Sequence, residues 1–337
     1  MIEIFGTLGP ACSETKTIEE MFINGMTGMR LNMSHTSLSQ SDCIIKNFWQ
    51  AAEKLGKEPE LLIDLQGPEI RIGDIKGTVV IDEGDYVRIG TKEDQNADIT
   101  IADPVIDKIE NADTIVIDDG SLSLIAESKR GKCWKARVIR GGELKGRKSF
   151  KIVGKNVLGP ILTQQDIENI KCISEYGVTA LMQPFVRNGD ELKTVKKELE
   201  KNKLDNIRIF AKIENKEGVS NLENIIPEAD MIVIARGDLG NDMELWELPS
   251  VQKNIERICN KSRKPFMVVT QMLTSMIESP LPTRAEVSDI FNAVNDGASA
   301  VMVTNETAVG KYPVEAIKFL SKTVNSAEVW RKNNDLN

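Results

Sequence analysis

The sequence predicts an α/β protein: a (β/α)8 barrel of the TIM type, interrupted after its third strand by a small antiparallel β domain. Three observations predict it. Apolar runs of strand length alternate with helical stretches on both sides of the chain's middle. Those runs hold few polar residues, as in parallel strands covered on both faces, and stop abruptly in charged or Gly-rich sequence. Between residues 72 and 156 the rhythm changes to short alternating runs punctuated by Asp-Glu-Gly-Asp, Asp-Asp-Gly-Ser and Arg-Gly-Gly. The barrel is therefore expected in 1–71 and 157–337, and the inserted, β-barrel-like lid domain in 72–156. A doubly wound open sheet has the same local signals, and counting strands does not separate the two.

The first strand is IEIFGTLG, ending at Gly9, with a helix over 15–26. The second, 28–35, has an end crowded with polar groups. A helix over 39–56 follows, with Ile44, Phe48, Ala52 and Leu55 on one face. The third strand, 61–65, runs into Gln66-Gly67-Pro68-Glu69-Ile70-Arg71. Runs at 79–81, 86–89, 115–117, 122–125 and 133–139 supply the insert. The barrel rhythm resumes with helix 162–176, strand 178–183 and a charged helix over 190–201. Strands 207–213 and 231–235 flank a segment, 219–229, in which Leu222, Ile225 and Ile226 have helical spacing. Next come helix 250–263 and strand 266–270. A helix capped by Thr283 and stopped by Gly297 follows, with Val287, Ile290, Phe291 and Val294 as its apolar stripe. Strand 300–303 and a helix over 314–330 complete eight strands outside the insert. Met267, Met272 and Met276 read as core filling.

Composition narrows the function. Of 337 residues, 41% are hydrophobic and 28% charged, ordinary for a folded globular chain. A net charge of -8 argues against a nucleic-acid or anionic-membrane partner, and no apolar run approaches membrane-spanning length. Cys12, Cys43, Cys133, Cys172 and Cys259 form no C-x-x-C pair and read as buried thiols in a reducing cytoplasm. His35 is the only histidine, so chemistry needing several is excluded. It reads as a structural hydrogen-bonding residue.

The densest chemistry lies in IRIFAKIENKEG and DMIVIARGDLG, residues 207–218 and 230–240. Glu214 and Asp238 follow apolar runs at the carboxyl ends of strands, where parallel α/β proteins bind ligands. Two carboxylates there can share one hard divalent cation such as Mg2+, with substrate oxygens completing its shell. Lys212 shares a strand face with Glu214. A lysine and a metal converging on one point is what a phosphoryl group in flight requires. Gly237 lets backbone N–H groups approach an anion. Taken singly, these residues would read as solvated strand ends.

Several ordered motifs resemble the pyruvate kinase family: AKIEN and ARGDLG, TLGPA at 7–11, RLNMSH at 30–35, DLQGPEIR at 64–71, TQMLTSMIESPLPTRAEVSD at 270–289, and NETAVGKYP at 305–313. The resemblance implies a TIM barrel and a glycolytic enzyme that moves the phosphoryl group of phosphoenolpyruvate to ADP, giving pyruvate and ATP. By the same resemblance, Glu214 and Asp238 hold Mg2+ or Mn2+, and Lys212 and Arg30 meet the phosphoryl group. Gly237 and Asp238 offer N–H groups to the substrate carboxylate, and Thr270 sits where the enolate is protonated. Asn32, Ser34, Asp64 and the Leu65 carbonyl form a potassium site. Arg71, Lys148 and Asn32 are expected at the nucleotide, Arg71 from the hinge of a closing lid. Without the resemblance, Arg30 has a structural alternative, a salt bridge to Asp64. The expected partners are phosphoenolpyruvate and ADP in the cytoplasm, and a homo-oligomer is compatible with the sequence.

Departures from the family pattern qualify this. The lid's K-G-V-N-L-P-G is Lys148-Ser149-Phe150-Lys151-Ile152-Val153-Gly154 here, S-F-V-R is Pro184-Phe185-Val186-Arg187, and S-G-E-T-A is Thr304-Asn305-Glu306-Thr307-Ala308. They keep open a paralogue with another phosphoryl acceptor, and a non-catalytic sensor of phosphoenolpyruvate or nucleotide. The family's C-terminal regulatory domain is expected to be missing, and sugar-phosphate activation with it. Potassium is expected because Glu69 stands where potassium-independent members carry a lysine, leaving Asp64 without a built-in counter-charge. Leu65, Gln66 and Ile72 point the other way.

Overall fold

The computed structural model describes residues 2–118, 120–155, 157 and 159–334. Residue 156, the expected end of the insert, and the chain ends at 1 and 335–337 lie outside the described residues. The chain divides into two compact units, Met1–Gly67 with Ile161–Asn337, and Pro68–Pro160.

The first unit is a closed barrel. Its strands are β1 (Glu3–Thr7), β2 (Gly28–Asn32) and β3 (Glu60–Asp64), and then, after the insert's β4–β11, β12 (Ala180–Gln183), β13 (Arg208–Ile213), β14 (Met231–Ala235), β15 (Phe266–Val269) and β16 (Ala300–Met302). They pair in the order β1-β16-β15-β14-β13-β12-β3-β2, with β2 returning to β1 and every pairing parallel. Closure removes the free edges that an open sheet would present, and rules out the doubly wound alternative.

Both faces of these strands are covered, which is why their sequences lack polar alternation. Phe5, Leu62, Met182, Phe210, Val233 and Met267 fill the inside. The Phe5 and Phe210 rings meet edge-to-face at 6.4 Å. Outward residues such as Leu61, Ile63, Leu181, Ile209 and Ile232 pack beneath the helices. Burying each such side chain contributes about 1.5–3 kcal/mol. Met267, Met272 and Met276 are all fully buried, as a core role requires.

Helix starts follow from local chemistry. Thr283 accepts from Glu286 N while Glu286 Oε2 takes Thr283 N, a reciprocal cap opening the helix Arg284–Asn295. Gly297, at φ 104°, turns the chain out of that helix. Thr163 and Asp166 make the same device at Gln164–Lys171.

Some expectations need correction. The segment expected as a helix over 219–229 consists of Lys216–Ser220, Leu222–Ile225 and a 3-10 turn at Ile226–Glu228. Asn221 sits at the first break and donates its side-chain amide to Arg187 O, and Pro227 brings no N–H for a longer helix. Nor are the cysteines uniformly buried: Cys43 is exposed on its helix, and Cys133 and Cys172 are half-buried, though none is bridged.

The second unit carries β4 (Thr78–Ile81), β5 (Tyr86–Gly90), β6 (Ile99–Thr100), β7 (Thr114–Ile117), β8 (Leu122–Arg130), β9 (Cys133–Arg140), β10 (Gly142–Lys145) and β11 (Phe150–Ile152). They form a sheet of order β11-β7-β8-β9-β5-β6 and a pair β10-β4 around a core that includes Ile89, Ile115, Leu124 and Val138. One pairing departs from the antiparallel expectation: β5 and β6 run parallel.

Candidate active site

The inward face at the carboxyl ends of β2, β3 and β13 brings Arg30, Asp64, Lys212 and Glu214 together. Register explains it. Arg30 and Asn32 lie on β2 beside Leu62 and Asp64 of β3, with Asn32 paired to Asp64. On β13, Phe210 points into the barrel, so Lys212 and then Glu214 point inward above it.

Asp64 is the hub. Arg30 Nε and Nη2 both donate to its Oδ2, at 2.8 and 2.6 Å. Lys212 Nζ lies 3.2 Å from Oδ2 and 3.4 Å from Oδ1. The pairing of Arg30 with Asp64 expected on structural grounds is thus present, but within a larger cluster. Lys212 Nζ is also 2.9 Å from Glu214 Oε1. The Lys212 ammonium is the one partner of Oε1 among the described residues, whereas Oε2 accepts Phe185 N at 2.8 Å. The side chains of Asp64, Glu214 and Lys212 are 3%, 1% and 13% exposed, so water screens them little.

Burial and charge pull the titrations apart. Burial opposes the Lys212 ammonium, but Asp64 and Glu214 outweigh it and raise the pKa above its usual value. Burial likewise works to raise Asp64, yet Lys212 and Arg30 hold it below the usual carboxylate range. Glu214 goes the other way: burial first, then Asp238 and Asp64, push it up despite Lys212. The two carboxylates beside Lys212 therefore divide into a compensated one, Asp64, and an under-compensated one, Glu214. This corrects the expectation that Asp64 lacks a counter-charge. Glu69 is itself paired, to Arg71.

Asp238 and Gly237 open the short helix Arg236–Asn241 directly after β14. A Cβ on Gly237 would fall 2.9 Å from Thr270 Cγ2, so glycine is needed for Thr270 to lie against this turn. Thr270 was expected as the last residue of a strand. Instead β15 ends at Val269, and Thr270 and Gln271 adopt φ 76° and 57°. Ser34 is buried, and its N–H donates to Asn32 Oδ1 at 3.1 Å; Leu65 is buried next to Asp64. Among the described residues no group of three or more His, Cys, Asp or Glu is disposed to hold a metal, so any divalent ion must take its remaining oxygens from elsewhere.

Arg71 and Lys148 lie on the inserted unit. Arg71 Nη1 donates to Arg147 O at 2.9 Å, and Lys148 Nζ pairs with Asp118 Oδ1 at 2.9 Å.

Sequence reasoning missed two features. Asp166, fully buried, accepts from Gln66 N, Gly67 N, Thr163 N and Thr163 Oγ1 at 2.8–3.0 Å, tying the segment after β3 to the start of a helix. The Thr-x-x-Asp spacing was a readable cap signal. Arg236, read only as a strand end, reaches Thr270, Met272 and Asp289. Nothing in its neighbourhood announced that reach.

The family model described as "Pyruvate kinase, barrel domain" matches residues 1–317. The chain belongs to the pyruvate kinase family. It is 38% identical over 336 residues to a protein of Thermococcus litoralis named pyruvate kinase, covering 98% of this chain and 70% of that one. The pyruvate kinase of Aeropyrum pernix is 36% identical, covering 95% of this chain and 69% of the relative. That of Bacillus licheniformis is also 36% identical, and 97% of this chain spans 57% of its length. The family match runs through the β-strand carboxyl ends that carry Arg30, Asp64, Lys212 and Glu214.

Proposed function

We propose that this protein transfers the phosphoryl group of phosphoenolpyruvate to ADP in the cytoplasm, yielding pyruvate and ATP. The observation that carries the reading is the buried Lys212 ammonium, set between Asp64 and Glu214 with Arg30 alongside, at the carboxyl-end mouth of a closed barrel. Among the described residues no helix is long and apolar enough to cross a bilayer.

In the reaction the bond from phosphorus to the enol oxygen breaks, and one from phosphorus to a terminal oxygen of ADP forms. The enolate left behind takes one proton at its methylene carbon and becomes pyruvate. Arg30 and Lys212 exchange part of their interaction with Asp64 for the phosphoryl oxygens, whose charge they neutralise as it moves. Gly237 and Asp238 offer backbone N–H groups to the substrate carboxylate. Thr270 stands at the methylene carbon, where it passes the proton through its hydroxyl or a held water. The nucleotide is assigned to Arg71, Lys148 and Asn32 on the resemblance of their motifs.

The donor set suits a hard divalent cation: Glu214 is a buried carboxylate oxygen donor whose charge burial, Asp238 and Asp64 all oppose, so added positive charge beside it is favourable. Glu214 and Asp238 would hold Mg2+ or Mn2+, which would supply positive charge to the negative charge that develops during transfer. Asn32, Ser34, Asp64 and the Leu65 carbonyl are an all-oxygen set that suits K+. Because Arg30 and Lys212 already neutralise Asp64, K+ matters only once substrate draws those two cations away.

Turnover with phosphoenolpyruvate, Mg2+ and a panel of nucleoside diphosphates tests the reading. Pyruvate and ATP formed together support it. Tight phosphoenolpyruvate binding without pyruvate under any nucleotide refutes it in favour of a sensor, and pyruvate without nucleoside triphosphate points to another acceptor.

A further inference from the structure

Thr270 is held in a conformation that it does not choose for itself. A β-branched residue at φ 76° is a backbone outlier, and Gln271 beside it is also left-handed, at φ 57°. Such geometry persists only where the surroundings impose it. Here one side chain does so. Arg236 Nε and Nη2 both donate to the Thr270 carbonyl, at 3.1 and 2.7 Å. Its Nη1 pairs with Asp289 Oδ2 at 2.6 Å, and Nη2 also lies 2.9 Å from Met272 Sδ. The guanidinium thus spans three successive parts of the barrel: the turn after β14, the left-handed pair after β15, and the helix Arg284–Asn295. With its side chain 10% exposed, it is nearly enclosed.

The fork fixes the plane of the Thr270–Gln271 peptide. From that plane the Thr270 side chain projects onto Gly237, where its methyl fills the space a Cβ would need. The threonine is therefore clamped from both sides, by Arg236 at its carbonyl and by the Gly237 turn at its methyl. Arg236 and Gly237 are adjacent in sequence, so the turn expected to bind the substrate carboxylate also aims the residue expected to deliver the proton.

We propose that Arg236 is a positioning residue for Thr270, coupling the Gly237–Asp238 turn to the site of enolate protonation. This rests on the protonation reading of Thr270 given above. Arg236 touches no reacting atom. Its loss should therefore disturb proton delivery more than phosphoryl transfer, a split that general loosening of the fold would not produce.

The experiment compares two rates in each variant: exchange of pyruvate methyl hydrogens with deuterium oxide, and nucleoside triphosphate formation from phosphoenolpyruvate. Arg236→Lys keeps a cation for Asp289 but cannot donate two parallel bonds to one carbonyl. Its ratio of exchange to transfer should fall by about tenfold or more, as expected when a reacting group is misplaced. Thr270→Ala should lower the same ratio, and the double variant should fall no further than Thr270→Ala, because the two act on one step. Gln271→Gly placed on Arg236→Lys should restore part of the ratio, since glycine adopts φ 57° without help. If Arg236→Lys does not fold, Asp289→Asn, which removes the outer anchor and spares the fork, should shift the ratio in the same direction by less.

An unchanged ratio in a folded Arg236→Lys or Asp289→Asn, with Thr270→Ala impaired, overturns the positioning role. Equal loss of both rates in Arg236→Lys overturns it as well. If Thr270→Ala itself leaves the ratio untouched, the protonation reading fails, and this inference with it.

Discussion

Replacing Lys212 with methionine separates the two halves of the proposed reaction. Lys212 Nζ sits 2.9 Å from Glu214 Oε1 and 3.2 Å from Asp64 Oδ2, and the charge of a phosphoryl group centred slightly farther out, at about 4 Å, would meet the same unit charge. At an effective dielectric of about 20 that interaction is about 4 kcal/mol, most of it realised as charge shifts in the transition state. Losing about 3 kcal/mol of it slows transfer roughly a hundredfold or more. Folding suffers too, because Asp64 and Glu214 lose a shared cation in a buried site. Removing one partner of such a pair costs about 3–5 kcal/mol, and the lower end applies here because Arg30 still compensates Asp64. The assay measures triphosphate formation and methyl-deuterium exchange of pyruvate side by side, with thermal unfolding and Mn2+ titration as controls. Transfer should collapse, exchange should fall much less, and metal affinity should hold. Lys212→Arg should recover part of the transfer rate. Equal loss of both half-reactions, with fold and metal binding intact, would contradict the assignment of Lys212 to the moving phosphoryl group.

At the opposite mouth of the barrel, Arg208 bridges Glu60 and Glu3, so Arg208→Met should lower the unfolding temperature, by about 1–2 kcal/mol of stability, and leave kcat unchanged. Asp166→Asn keeps one acceptor oxygen but turns an amide group toward backbone N–H donors, and should cost about 2–3 kcal/mol in a denaturant titration. Chelating divalent ions should abolish turnover, with Mg2+ or Mn2+ restoring it, and adding Mg2+ to the substrate-free protein should raise the unfolding temperature by mass action. Exchanging K+ for tetramethylammonium at constant ionic strength should raise the KM for phosphoenolpyruvate more than it lowers kcat, because Asp64 lacks compensation only when substrate occupies Arg30 and Lys212. Rates that agree within about twofold, with KM unmoved, would remove Asn32, Ser34 and Asp64 from a cation site.

Much of the barrel was legible because its determinants are local. Apolar runs such as Met231–Ala235 could be strands or buried helices, but their brevity and the charged stops after them decided the matter. Thr283 and Glu286 announced a helix start by spacing alone. Lys212 and Glu214 could be placed on one face because they are two residues apart. Long-range features gave no such signal. Arg236 finds its carbonyl partner 34 residues away and its carboxylate 53 away. The neutralisation of Asp64 in the substrate-free site depends on the packing of β2 and β13 around it, which no local signal in the sequence announces. The parallel β5–β6 pairing was likewise hidden, since β6 is only Ile99–Thr100.

Backbone strain in the barrel unit falls into two kinds, and the distinction bears on function. Among the described residues of that unit, the non-glycine residues with positive φ are Phe185, Lys203, Arg263, Thr270 and Gln271. Lys203 and Arg263 come just after the C-caps of the helices Gly189–Lys201 and Leu248–Lys261, where a left-handed residue is an ordinary way to stop. Phe185, Thr270 and Gln271 end no helix. They follow β12 and β15 at the mouth that carries the site, and charged side chains hold them there. Glu214 Oε2 takes Phe185 N, and Arg236 grips the Thr270 carbonyl. Each such residue costs on the order of 1–3 kcal/mol, and a fold does not keep that cost where a relaxed turn would serve equally well. The same Glu214 that restrains Phe185 bears its other oxygen 2.9 Å from the Lys212 ammonium, yet burial, Asp238 and Asp64 still push its pKa up. Strain and incompletely compensated charge therefore coincide on one carboxylate. A site assembled only for stability would relax both. Holding both is the expected condition of a site whose charges are completed by its substrates.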